Sequence, residues 1–96
     1  MSSDMDMKRH LSILVSGRVQ GVFFRASAKA KADELGITGF VQNMPDGKVY
    51  IEIEGTDEKL DHFKTWCSKG PPRAQVEQVE IKEGDLRNFT SFGILR

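Results

Sequence analysis

Between Ile37 and Gly55 two runs rich in β-branched and aromatic residues flank Met44-Pro45-Asp46-Gly47. Proline presets one turn angle and Asp-Gly favours a tight reversal, so the two runs are expected to fold back on each other as a hairpin. The second run, Lys48 to Gly55, alternates: Val49, Ile51 and Ile53 face one way, Glu52 and Glu54 the other. A lone hairpin is marginal in water, so its apolar face needs cover from the rest of the chain. That chain has 96 residues, enough for one domain with a modest, two-layered core.

The flanking segments supply the cover. His10 to Ser16 reads as a strand, with Leu11, Ile13 and Val15 in phase. Leu14 breaks its polar side, which suggests a central strand covered in part on both faces. After a glycine-containing loop at 17–22, residues 23–35 read as a helix. Ala26, Ala28, Ala30 and Ala32 raise its propensity and Gly36 stops it. A second helix starts at an N-cap Thr56, with Asp57 and Glu58 at its positive end. Leu60, Phe63 and Cys67 form its apolar stripe with Trp66 beside them, and Gly70-Pro71-Pro72 ends it. A fourth strand covers 75–82, with Val79 and Ile81 in phase and Val76 out of phase, the mark of a bulge or a late start. A polar loop at 83–88 leads to a short last strand within 89–95. The order is β-α-β-β-α-β with a short fifth strand. This is the α+β, ferredoxin-like (split βαβ) class: an antiparallel sheet with two helices on one face. Residues 1–8 read as a disordered tail and 9–96 as the single domain.

Bulk properties narrow the function. Fourteen basic residues balance fourteen acidic ones, which argues against a general nucleic-acid binder and against an electrostatic membrane anchor. The start of the chain lacks the apolar core of a signal peptide, and no apolar run approaches a membrane span. Cys67 is the single cysteine, so the chain can form neither an internal disulfide nor a cysteine metal cluster. A soluble cytoplasmic monomer is expected.

The chemically informative segment is Gly17-Arg18-Val19-Gln20-Gly21-Val22-Phe23-Phe24-Arg25. It runs from strand through loop to helix start, an order that can present successive main-chain N–H groups to an anion at the positive end of the helix. Glycine permits the positive φ angles such a concave nest needs. Arg25 follows in the first turn, where its planar fork can hold two phosphate oxygens at once. The segment is neither a Walker A loop nor a dinucleotide fingerprint. On loop logic alone two readings stand side by side: an anion site, or a glycine-shaped turn beside a solvated arginine.

That segment closely resembles the signature of acylphosphatases. The resemblance continues through Leu35-Gly36-Ile37-Thr38-Gly39-Phe40-Val41-Gln42-Asn43, Asp46-Gly47 with Val49, and Gly70-Pro71-Pro72 with Ala74 and Val76. It spans nearly the whole chain, from His10 to Leu95. It implies a ferredoxin-like fold and metal-free, cofactor-free hydrolysis of a small-molecule acyl phosphate to a carboxylate and inorganic phosphate. It also implies that Arg25 binds the phosphate and that the main-chain N–H groups of Val19, Gln20, Gly21, Val22 and Phe23 complete the cradle. Asn43 would orient the attacking water. Ala28 stands where Thr is frequent in the family, and Phe40 where Trp is frequent.

Other residues carry less. His10 and His62 are isolated and lack metal-ligand spacing, so they read as surface histidines. Cys67 reads as a buried, unreactive thiol. Lys29, Lys31, Asp33 and Glu34 read as a solvated helix face. Arg18 lies inside the loop, where its charge could help attract an anion. Two rival functions remain on the same fold. One is a non-catalytic phosphate- or anion-binding module; Asn43 counts against it, because a binder needs no water-holder. The other is an RNA-binding module, ranked last because charge is balanced and Tyr50 is the lone aromatic of the third strand.

Overall fold

A computed structural model describes residues 7–96; most of the expected 1–8 tail lies outside the described residues. The elements are β1 (Arg9–Arg18), α1 (Phe24–Leu35), β2 (Thr38–Asn43), β3 (Val49–Gly55), α2 (Asp57–Lys69), β4 (Gln75–Gly84) and β5 (Phe92–Leu95). One sheet has the order β4-β1-β3-β2-β5. β2 and β3 form the expected hairpin, closed by the Met44 N–H bond to the Lys48 carbonyl at 2.8 Å. This is the ferredoxin-like arrangement anticipated from periodicity. No helix among the described residues is long and apolar enough to cross a membrane.

Register explains where the core sits. Ile81, Ile13, Ile51, Val41 and Ile94 make one cross-strand row over all five strands. Phe24, Ala28 and Ala32 of α1, with Leu60, Phe63 and Cys67 of α2, are buried against this face of the sheet. Ala28 is wholly buried, so the missing family hydroxyl belongs to a core position. Trp66 packs between Phe24 and Phe63, at 5.2 and 5.7 Å between ring centroids. Burial pushes the Cys67 thiol far above its ordinary pKa, which leaves it neutral and unreactive.

Several boundaries differ from the sequence expectation. β1 continues through Gly17 to Arg18, so the loop begins at Val19. The reason is the bulge hinted at by Val76. Ser16 pairs with Gln78 but Gly17 pairs with Val76, leaving Glu77 as the extra residue. Gly17 has φ 122°, and a Cβ there would lie 2.2 Å from the Gln75 carbonyl oxygen. Its glycine therefore serves strand contact. Thr56 does hold the N-cap position of α2, but its hydroxyl makes no cap hydrogen bond; only its carbonyl accepts, from Leu60 N–H at 2.9 Å. β5 starts three residues later than the expected strand and pairs parallel with β2, so only the neighbouring pairs among the four longer strands are antiparallel.

The helix-free face carries a second departure. Glu52 and Glu54 point away from the helices as expected, yet both are buried, and so is His10, only 5% exposed rather than on the surface. His10 Nδ1 lies 2.7 Å from Glu54 and Nε2 lies 3.1 Å from Glu52. The main-chain N–H groups of Arg87 (2.5 Å) and Phe89 (3.1 Å) donate to Glu54. The Phe89 ring packs on His10 and Phe40. The segment from Asp85 to Ser91 is thus a strap over β1, β3 and β2. It carries the chain from one edge of the sheet to the other and delivers β5 beside β2.

Candidate functional site

Val15, Val49 and Val79 form the next helix-facing row, and Asn43 takes the place in it beside Val49. A polar residue thus occupies a core-facing position at the end of β2. Its Oδ1 is buried and accepts no hydrogen bond among the described residues. A buried acceptor left open is costly unless something outside the protein donates to it.

Opposite that position the loop bends sharply. Gly21 has φ 75° and Phe23 has φ 66°, both left-handed. Alternation of this kind curls main-chain N–H groups to a common side. Among the described residues, no N–H from Val19 to Phe23 donates to a loop or turn carbonyl. Phe23 is also the N-cap of α1, with ψ 24° and no side-chain cap. α1 has no acidic residue in its first turn, whereas α2 has Asp57 and Glu58. The positive end of α1 is therefore left uncompensated.

Gln20 fixes the loop to the hairpin. Its Nε2 donates to the carbonyls of Met44 (2.8 Å) and Lys48 (2.9 Å). The buried side chains of Val19 and Val22 anchor the loop's apolar side in the core.

The result is a cleft of about 330 Å³ lined by Val19, Gly21, Phe23, Phe24, Arg25, Ala26, Asn43, Ile94 and Arg96. It is at the small end of ligand sites, suited to a compact ligand. No Asp, Glu, His or Cys lines it. Among the described residues neither Arg25 nor Arg96 makes an ion pair. Two guanidiniums without an ion pair, open amides and a helix start, in a cleft lined by no Asp or Glu, are an arrangement suited to an anion.

Of the residues singled out in the sequence, Val19, Gly21, Phe23, Arg25 and Asn43 line this cleft. Gln20 and Val22 belong to its loop but turn their side chains to the hairpin and the core. Arg18 is exposed at the end of β1 and is not among the lining residues. Ile94 and Arg96 escaped sequence reasoning. Ile94 lies in β5 and Arg96 follows its last residue in the same phase, and only the parallel pairing of β5 with β2 brings that phase toward Asn43.

The chain is similar to known proteins along most of its length. A family model described as Acylphosphatase matches residues 11–94. The chain is 50% identical over 91 residues to an acylphosphatase of Methylococcus capsulatus, covering 94% of this chain and 98% of that protein. The structure of an acylphosphatase from Coxiella burnetii has a TM-score of 0.89 at 35% identity, covering 92% of this chain and 93% of that one. That of Bacillus subtilis acylphosphatase has a TM-score of 0.89 at 34% identity, covering 94% and 100%. By sequence and by fold, the chain belongs to the acylphosphatase family, hydrolases of acyl phosphates.

Proposed function

We propose that this cleft hydrolyses small acyl phosphates by in-line attack of water on phosphorus, with Arg25 and the 19–23 amides holding the phosphoryl oxygens and Asn43 holding the water. The observation that carries the reading is the convergence of Arg25, the left-handed loop and the open Asn43 Oδ1 on one cleft lined by no Asp or Glu.

The chemistry needs few groups. A water oxygen bonds to phosphorus while the phosphorus–acyl oxygen bond breaks, and its electron pair leaves with the carboxylate. A carboxylate departs without protonation, so the absence of an acid from the cleft lining is no obstacle. Phosphoryl transfer asks mainly for positioning and charge stabilisation. The Arg25 fork and the amides meet the equatorial oxygens where charge spreads. Asn43 Oδ1 accepts a hydrogen bond from the water and turns the water's lone pair toward phosphorus; an amide does not titrate, so its contribution is orientation. The proton released by the water goes to the phosphate itself. Arg96 adds a second positive charge at the mouth.

We place the activity in a cytoplasmic monomer. Balanced charge and a single buried cysteine support that setting. The test is phosphate release from benzoyl phosphate with EDTA present. Activity is expected to survive the chelator, and Arg25→Lys to lose about a hundredfold or more in kcat because the bidentate geometry goes. Loss of wild-type activity in EDTA, or an Arg25→Lys variant as active as the parent, contradicts the reading.

A further inference from the structure

Phe23 is the one residue of the loop whose conformation and side chain both run against its chemistry. Its backbone is left-handed (φ 66°), a region where glycine or asparagine is at ease and a bulky residue is strained. Phe23 is 72% exposed, and its ring makes no aromatic pair among the described residues. The chain therefore gains little packing from a side chain that strains its own backbone. Of the exposed large apolar side chains, Phe23 is the one that lines the cleft.

Its place in the cleft gives the ring something to meet. The sheet supplies Asn43 and Ile94, and Arg96 follows β5; the loop and the start of α1 supply the rest. In-line displacement puts the leaving acyl oxygen on the far side of phosphorus from the water. With the water on Asn43, the acyl group projects away from the sheet wall and out past the loop. There Phe24 and Val19 are buried, and the Phe23 ring is the apolar surface on offer.

We propose that Phe23 is a specificity-determining residue: its ring packs on the acyl group and favours acyl phosphates with flat, apolar (aromatic or conjugated) acyl groups. This rests on the reading of the cleft as the hydrolytic site. The ring acts on the acyl end, while the Phe23 N–H serves the phosphate, so the two contributions separate by substrate.

The test compares kcat/KM for benzoyl phosphate and acetyl phosphate in wild type, Phe23→Gly, Phe23→Asn and Phe23→Tyr. Gly and Asn both suit the left-handed backbone, so the fold has no added strain to bear. The benzoyl-to-acetyl ratio is expected to fall about tenfold in the Gly and Asn variants, the size of one aromatic packing contact. Phe23→Tyr is expected to keep the wild-type ratio. A ratio within twofold of wild type in both Gly and Asn variants overturns the proposal, as does a Tyr variant that loses the preference with them. Because the readout is a ratio, any common loss from a disturbed cradle cancels. A wild-type protein that hydrolyses neither substrate refutes the hydrolytic reading itself.

Discussion

The side-chain amide of Gln20 donates to the main-chain carbonyl of Met44 at 2.8 Å, tying the 19–23 loop to the residue that follows Asn43. The second bond, to Lys48, spans the other side of the hairpin turn. The loop and Asn43, the proposed cradle and water-holder, come from separate elements, β1–α1 and β2, and this side chain links them directly. Gln20→Ala is expected to lower kcat by about tenfold to a hundredfold, since small misplacement of reacting groups is costly. Stability should fall by only about 1–2 kcal/mol, the net worth of two hydrogen bonds. Steady-state kinetics beside urea unfolding checks this; a variant with wild-type kcat would show that the tether sets nothing.

Asn43 is expected to separate binding from turnover. Asn43→Ala removes the open Oδ1 but leaves the loop and Arg25 in place. Inhibition by inorganic phosphate should stay within about twofold while kcat drops on the order of 10²–10³, as for loss of other preorganised groups. Turnover close to wild type would remove Asn43 from the mechanism.

Arg96 should behave differently, because it is exposed where it lines the cleft and, in the proposed mechanism, would meet substrate and transition state alike. Arg96→Gln is expected to weaken phosphate inhibition by about fivefold, the worth of an exposed charge pair, with little change in kcat. The variant should also show a shallower salt dependence of phosphate inhibition. An unchanged inhibition constant would exclude Arg96 from the anion's surroundings.

The strap supplies a pH prediction. Burial alone would raise the pKa of Glu54, but the N–H of Arg87, the ring of His10 and the N–H of Phe89 donate to its carboxylate and hold it below its ordinary 4.5. A folded-state pKa below the unfolded one means stabilisation that is full above pH 4.5 and is lost as pH falls through the lowered folded value. Tyr50 and Arg87 donate to the neighbouring Glu52. Glu54→Gln should lose roughly 1–3 kcal/mol at neutral pH and show a flatter acid limb in thermal melts from pH 7 to 3. Parallel acid limbs in variant and wild type would contradict the assignment.

Much of this architecture is written in local sequence. The hairpin turn at Pro45-Asp46-Gly47, the Leu60–Phe63–Cys67 stripe and the stop at Gly36 are decided by neighbours in the chain, so periodicity and turn chemistry reveal them. The same holds for the strand–loop–helix order that presents Arg25. What stayed hidden depends on partners far away. Gly17 looks like part of the loop until Gln75 is seen pressing on it. His10 looks like a surface histidine until Glu52, Glu54 and Phe89 close over it. Arg96 looks like an ordinary end-of-strand charge. Its approach to Asn43 depends on the strap crossing the sheet, a path that polar, aperiodic residues between Asp85 and Ser91 do not encode locally.

The central claim is that one anion is gripped by the amides of Val19 to Phe23 together with Arg25, within reach of Asn43. Titrating ¹⁵N-labelled protein with inorganic phosphate and following amide and guanidinium signals tests it directly. The account predicts that the amides of residues 19–23 and the Arg25 Nε–H show the largest shifts and saturate with one common Kd. Shifts that leave those groups unmoved and gather on another surface would contradict it.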